Sequence, residues 1–256
     1  MSADDILDLT PPPADLRLRY GAHAAQFIDL RLPKTKGPHP VAVNIHGGYW
    51  RNKYSLDHAG HLCAALTAKG IATANLEYRR VGDEGGGWPG TLEDIRNAYR
   101  YVRQVARQHD IDPDRCVVLG HSAGGQLALA LASREASLQG VVSLAGVVDL
   151  QRGFDLHLSN DAVVDFLGGK PNEVPEHYSE ADPMRIAIPK ITQWLVHGKD
   201  DDAVPPDFSL RYVKAKLKRG EDVHLLEIEK AGHFDVIDPR TEAGKQIGRT
   251  VLQVFG

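Results

Sequence analysis

The segment Asp114-Arg-Cys-Val-Val-Leu-Gly-His-Ser-Ala-Gly-Gly-Gln-Leu-Ala-Leu-Ala-Leu-Ala-Ser133 holds a strand, a sharp turn and a helix in twenty residues. Cys116 to Leu119 is a short apolar run of the kind a fully buried parallel strand shows. Gln126 to Ala132 is built from Ala and Leu, strong helix formers. Between them Gly120-His121-Ser122-Ala123-Gly124 matches G-x-S-x-G in the strand–turn–helix context that gives the motif its meaning. A strand that turns abruptly into a helix crowds the backbone, so the flanking positions must be small. Ser122 is then presented at an elbow, with the backbone N–H of Ala123 at the helix N-terminus pointing where negative charge would develop. A glycine-rich turn that merely packs has the same local look, and isolated matches arise by chance. The rest of the chain must supply the partners.

The 256 residues are enough to bury a large core as one domain, and 42% hydrophobic with 25% charged residues is a globular balance. A net charge of −4 argues against a nucleic-acid binder. No run approaches the roughly 18 apolar residues of a membrane span. The first fifteen residues carry four aspartates and no Lys or Arg, the opposite of a secretory n-region. Cys63 and Cys116 sit in apolar surroundings on different elements and read as free thiols. A cytoplasmic protein with no membrane contact is expected.

Thr10-Pro-Pro-Pro13 ends an N-terminal arm, taken as residues 1–15. Leu16–Tyr20 and Phe27–Leu32 alternate as the first antiparallel strands, and Val41–Ile45 is a buried strand running into His46-Gly-Gly-Tyr-Trp50. A helix over Asp57–Lys69, a strand over Ile71–Leu76 and a helix capped by Thr91 and running to about His109 follow. After the elbow come a strand at Val141–Ala145 and an irregular segment, residues 151–188, read as a small cap insertion. Strands at Ile191–Val196 and Val223–Ile228 alternate with helices over Phe208–Arg219 and Pro239–Phe255. This alternation specifies one α/β domain over residues 1–256, a mostly parallel twisted sheet of about eight strands with helices on both faces.

In such sheets functional groups gather beyond the carboxyl ends of the strands. Those ends carry His46-Gly47-Gly48-Tyr49, Ser122, His197-Gly-Lys-Asp-Asp-Asp-Ala-Val-Pro205 and Ala231-Gly-His233-Phe. A serine needs a base, and the base needs an orienting carboxylate. These motifs, with Glu77-Tyr-Arg-Arg and Thr91-Leu-Glu-Asp-Ile95, resemble the α/β-hydrolase superfamily over nearly the whole chain. The likeness is strongest to the carboxylesterases with an H-G-G oxyanion loop and to the serine-dependent kynurenine formamidases (arylformamidases). It implies the α/β-hydrolase fold and the chain order nucleophile, acid, histidine. Ser122 would then attack a carbonyl and His233 would shuttle the proton. The family pattern H-G-x-x-D-x-x-V-P lands the acid on Asp201, with Asp202 one residue away as the alternative. Gly47, Gly48 or Tyr49, together with Ala123, would donate the oxyanion-hole N–H groups; where related esterases have a third glycine, this chain has Tyr49.

Trp50, Trp88, Phe154 and Phe166 are candidates for the substrate pocket, with core packing the competing reading. His46 reads as a fixture of its own loop and His121 as elbow scaffolding. His58 and His61 lie three apart on a helix, more in keeping with a solvated face than a metal site, because no third ligand can be placed. Asp200–Asp202 lacks the alternation of an EF-hand. No metal or cofactor is expected. The expected activity is hydrolysis of a small carboxylic ester through an acyl-enzyme. The sharper alternative is N-formyl-L-kynurenine as an amide substrate, and the remaining rival is a non-catalytic binding module, disfavoured because no triad member is missing. The partner is a small molecule, and a homodimer is left open.

Overall fold

A computed structural model describes residues 3–188 and 190–255. Eight strands form one sheet: β1 (Leu16–Arg19), β2 (Phe27–Arg31), β3 (His39–Ile45), β4 (Ala72–Glu77), β5 (Ile111–His121), β6 (Gly140–Leu144), β7 (Thr192–Gly198) and β8 (Val223–Ile228). Their spatial order is β1-β2-β4-β3-β5-β6-β7-β8. The β1–β2 and β2–β4 pairs are antiparallel, and every later pair is parallel. This is the α/β-hydrolase fold.

The period-2 alternation of strand side chains explains why the central strands read as unbroken apolar runs. Val41, Val43 and Ile45 of β3 and Cys116 and Val118 of β5 join one apolar layer, whereas Ala42, Val117 and Leu119 join the other. The first layer takes in α2 (Gly90–Val105), α3 (Ala123–Ala132), α4 (Leu150–Asp155), α5 (Ala162–Leu167) and α7 (Asp207–Lys218). The second is closed by α1 (Gly60–Thr67) and α8 (Glu242–Phe255). All ten residues of α3 are buried, as an apolar-all-round helix requires.

Element types follow the sequence, and the boundaries shift for local reasons. The helix expected over Asp57–Lys69 is split into a 3₁₀ turn, Leu56–Ala59, capped by the Ser55 hydroxyl, and α1. The next helix starts at Gly90, not at a Thr91 cap. The Thr91 hydroxyl instead donates to the Arg79 carbonyl (2.6 Å) and accepts the Gly87 N–H (3.1 Å), pinning the preceding loop. The irregular segment forms α4, α5 and α6 (Pro175–Ala181) between β6 and β7. Cys63 and Cys116 are free and fully buried, and burial pushes both thiols up to about 12. Among the described residues no helix is long and apolar enough to cross a membrane.

Candidate active site

Ser122 sits between β5 and α3 with φ 55° and ψ −121°, a backbone conformation that costs a non-glycine residue about 1–3 kcal/mol. Its surroundings hold it there. The Ser122 N–H donates to Leu144 O (2.8 Å), and its carbonyl accepts from Gly125 N (2.9 Å) and Val147 N (3.2 Å). The glycines of the motif are sterically required. A Cβ on Gly120 would lie 2.1 Å from Gly124 O, and one on Gly124 would lie 2.1 Å from Ile45 O. The close approach of α3 to β3 therefore exists only because these positions lack side chains. As the first residue of α3, Ala123 has an N–H with no acceptor inside its own helix.

Asp201 and His233 come from the loops after β7 and β8. His233 Nδ1 donates to Asp201 Oδ2 at 2.8 Å, whereas Asp202 is exposed and makes no such contact. Asp201 Oδ1 accepts the N–H groups of Ala203 (2.9 Å) and Val204 (2.8 Å), which fixes the carboxylate plane. Oδ2 also accepts from His197 Nε2 at 3.1 Å. His197 Nε2 faces a second acceptor, Val204 O, at 2.9 Å and so carries the proton, leaving Nδ1 to accept from Ser209 Oγ at 2.8 Å. Burial alone would raise the Asp201 pKa, but the hydrogen bonds from His197 and His233 and from Val204 hold it well below the usual carboxylate range. The two loops are locked together where Gly198 passes the His233 loop; a Cβ there would lie 2.2 Å from Ala231 O. In the sequence His197 serves only to open the pattern that places Asp201; at the end of β7 and four residues before that carboxylate, it is here a second donor to it.

The His46–Trp50 loop lies directly against the elbow. A Cβ on Gly47 would lie 2.9 Å from both Ser122 Cβ and His121 O. Gly48 (φ 113°), Tyr49 (φ 50°) and Trp50 (φ 57°) form a run of positive φ that turns the loop back on itself. Three anchors maintain it. His46 Nε2 donates to Glu77 Oε1 (3.0 Å), Tyr49 OH donates to Ala203 O (2.8 Å), and Trp50 Nε1 donates to Gln126 Oε1 (3.0 Å). His46 is a fixture of this loop, fully buried and stacked on Tyr78. Burial would raise the Glu77 carboxyl, yet His46 and Arg80 bring it down to about 2.

Ser122 and His233 line one cavity of about 200 Å³ with Leu7, Gly48, Tyr49, Tyr54, His58, His121, Ala203 and Phe234. The Ser122 hydroxyl and the His233 imidazole are not directly hydrogen-bonded. Such bonds are commonly long in unliganded sites and tighten with substrate. His58 corrects the sequence reading: it is buried and faces this cavity instead of a solvated helix face, and burial with His46 nearby lowers its pKa to about 3. Its neighbour His61 lies at the surface of the helix. His121 is likewise held neutral, chiefly by burial, and its Nε2 donates to His233 O (2.9 Å).

None of the four aromatic pocket candidates lines the cavity. Trp50 and Phe166 are fully buried and stacked at 4.6 Å, Trp88 meets Phe166 edge-on, and Phe154 packs half-buried against the same apolar layer. These rings join α5 to the His46–Trp50 loop and the sheet. Leu7, Tyr54, His58 and Phe234 also line the cavity and escaped the sequence reading because they come from three separated segments, at residue 7, residues 54–58 and residue 234. Among the described residues no cluster of three or more His, Cys, Asp or Glu side chains is arranged to hold a metal.

Comparison with known proteins agrees with this architecture. Esterase LipC of Mycobacterium tuberculosis is 27% identical over 248 residues, covering 87% of this chain and 60% of that protein. Kynurenine formamidase of Danio rerio is 22% identical over 248 residues, covering 93% of this chain and 80% of its own. Esterase B from Lactobacillus rhamnosis superposes with a TM-score of 0.83 at 18% identity, covering 99% of this chain and 90% of that one, a likeness of fold. The chain spans about half to three-fifths of the length of several curated esterases that it matches. A family model described as BD-FAE matches residues 28–217, about three-quarters of the sequence and the whole span from β2 to α7, and the chain belongs to that family.

Proposed function

We propose that the protein is a serine hydrolase that cleaves a small, uncharged carboxylic ester through an acyl-enzyme. The observation that carries the reading is the relay behind the cavity: Ser122 and His233 share one lining, and Asp201 Oδ2 stands 2.8 Å behind His233 Nδ1. In the proposed cycle Ser122 Oγ attacks the ester carbonyl while His233 Nε2 accepts its proton. Asp201, ionised at neutral pH, steadies the imidazolium that forms. The N–H of Ala123 and those of the Gly47–Tyr49 loop receive the oxyanion; one such donor is worth about a hundredfold or more in turnover. His233 returns the proton to the departing alkoxide, and water then repeats the sequence on the acyl-serine.

The uncharged substrate follows from the lining. Among the described residues it includes no Lys, Arg, Asp or Glu, and its flanking imidazoles, His58 and His121, are neutral at pH 7. N-formyl-L-kynurenine carries an ammonium and a carboxylate, and ionised groups leave water readily only for paired sites. The second reading, a formamidase, is favoured by the similarity to the Danio rerio enzyme across most of both chains. A panel of p-nitrophenyl esters with N-formyl-L-kynurenine separates the two. The ester reading expects kcat/KM for acetate or butyrate to exceed that for the formamide by at least tenfold; the reverse ranking overturns it. Hydrolysis of neither, with reversible binding of both, would indicate the binding module. The reading takes the chain as one domain with residues 1–15 as an arm; the 151–188 insertion, expected as a cap, packs Phe166 on Trp50 and contributes no residue to the cavity lining. Two buried free thiols fit a reducing compartment such as the cytoplasm. Light scattering distinguishes a monomer from a homodimer.

A further inference from the structure

The N-terminal arm reaches the cavity, and the 151–188 segment does not. Residues Ala3–Asp8 form a 3₁₀ turn in which Ile6 is fully buried, and the next residue, Leu7, lies on the lining beside Ser122 and His233 while remaining 41% exposed. Leu7 also lines a second, larger groove of about 670 Å³ beneath the arm, walled by Asp8 to Arg17 with Asp29, Arg31, Leu56 and Asp57. It is the single described residue common to both linings. Its side chain therefore stands where the small chamber at Ser122 meets the larger groove.

The arm is fastened downstream of Leu7. Pro12 O accepts from Arg31 Nη2 (2.7 Å), and Leu9 O accepts from His61 Nε2 (3.3 Å). Pro11 packs onto Gly60 so closely that a Cβ there would lie 2.6 Å from it. Further along, the Asp15 N–H donates to Leu30 O at 3.0 Å, tying the arm to the sheet edge. The contacts fix where Leu7 stands without covering it.

We infer that Leu7 determines specificity, setting the length of the chain the site accepts by separating the chamber at Ser122 from the trough under the arm. The inference takes its substrate class from the proposed ester hydrolysis, and its geometry is independent of that reading. A smaller residue at position 7 joins the two spaces, so that added methylenes of a substrate reach Leu9, Pro11, Pro12 and Leu56 on a wall that also carries Asp15, Arg31 and Asp57. Each methylene then gains roughly fourfold in kcat/KM. A larger residue closes the chamber. Leu7 has an apolar side chain that is 41% exposed, so its replacement disturbs folding little.

The test measures Leu7→Ala, Leu7→Trp and the control Leu156→Ala, an exposed position in the 151–188 segment, against p-nitrophenyl acetate, butyrate, hexanoate and octanoate. Leu7→Ala is expected to raise the hexanoate-to-acetate ratio of kcat/KM at least tenfold, Leu7→Trp to lower it at least tenfold, and Leu156→Ala to leave it unchanged. A second readout needs no catalysis. In a Ser122→Cys background, the native-state alkylation rate by N-phenylmaleimide relative to iodoacetamide should rise tenfold with Leu7→Ala and fall with Leu7→Trp; Cys63 and Cys116, fully buried, do not compete. Flat ratios in both measurements overturn the assignment and leave ester hydrolysis standing. Ratios that move in the alkylation assay, in a protein that cleaves no ester, support the partition and overturn the ester reading.

Discussion

Replacing Glu77 by Gln should destabilise the protein by about 3 kcal/mol and weaken catalysis at a site the residue never touches. Glu77 is 3% exposed. Its Oε1 accepts from His46 Nε2 (3.0 Å) and Tyr78 N (3.2 Å) and pairs with Arg80 Nη1 at 3.1 Å, while Oε2 accepts from Leu56 N (3.0 Å). Every partner is a donor. An amide keeps the shape, loses the charge under Arg80 and turns one acceptor into a donor facing donors. Removing one member of a buried pair costs about 3–5 kcal/mol. Arg80 retains the Tyr54 carbonyl and Asp83, which favours the lower end. Protonation gives an independent figure: a carboxyl brought from 4.5 to about 2 contributes about 3 kcal/mol at neutral pH. Against a total stability of roughly 5–15 kcal/mol that is a severe loss, equal to a fall in Tm of roughly 6–12 °C.

The sign fixes the pH window. The folded carboxyl titrates below the unfolded one, so its contribution is complete above pH 4.5 and disappears as pH falls toward about 2. Urea unfolding of wild type and Glu77→Gln, followed by near-UV circular dichroism at pH 7, 4 and 3, measures both features. The gap should be near 3 kcal/mol at pH 7 and shrink on acidification. A gap under about 1 kcal/mol, or one indifferent to pH, would refute the reasoning. Because Glu77 anchors His46, kcat for ester hydrolysis should also fall about tenfold below the melting range.

Three further outcomes are expected. Asp201→Asn should reduce kcat by about a thousandfold or more, because the amide opposes the Nδ1–H that His233 needs, while Asp202→Asn stays within about twofold; steady-state kinetics decides, and the reverse ranking reassigns the acid. Gly124→Ala should fail to accumulate as folded protein, since its Cβ meets the backbone at 2.1 Å; a stable soluble variant on gel filtration would contradict the close-packed elbow. Tyr49→Phe, losing the 2.8 Å bond to Ala203 O that ties the His46–Trp50 loop to the loop carrying Asp201, should lower kcat by roughly three- to tenfold with little change in KM.

The elbow was readable in the sequence because its physics is local: strand, tight turn and helix are neighbours in the chain, and only glycine fits Gly120 and Gly124. The sheet was readable for the same reason, since buried parallel strands announce themselves one at a time. His233 and Asp201 could be paired through the order of motifs, though Asp202 stayed open until the loop geometry put the Asp201 carboxylate 2.8 Å from the imidazole. The pocket was not readable. Trp50 and Phe166 attract attention as large aromatic side chains, yet their partner is each other across 4.6 Å, a pairing between residues more than a hundred positions apart. Leu7 and His58 carry no local signal for the cavity: one follows a buried isoleucine in a 3₁₀ turn, the other sits in the 3₁₀ turn before α1, and only tertiary packing brings them to Ser122.

The claim beneath all of this is that Ser122 becomes acylated with help from His233. Rapid mixing with p-nitrophenyl acetate, acid quenching and peptide mapping tests it directly. A pre-steady-state burst of p-nitrophenol should accompany one acetyl group on the peptide containing Ser122, and both should vanish in Ser122→Ala and slow by at least a thousandfold in His233→Ala. Turnover persisting in Ser122→Ala, or acetyl found on another residue, would contradict it.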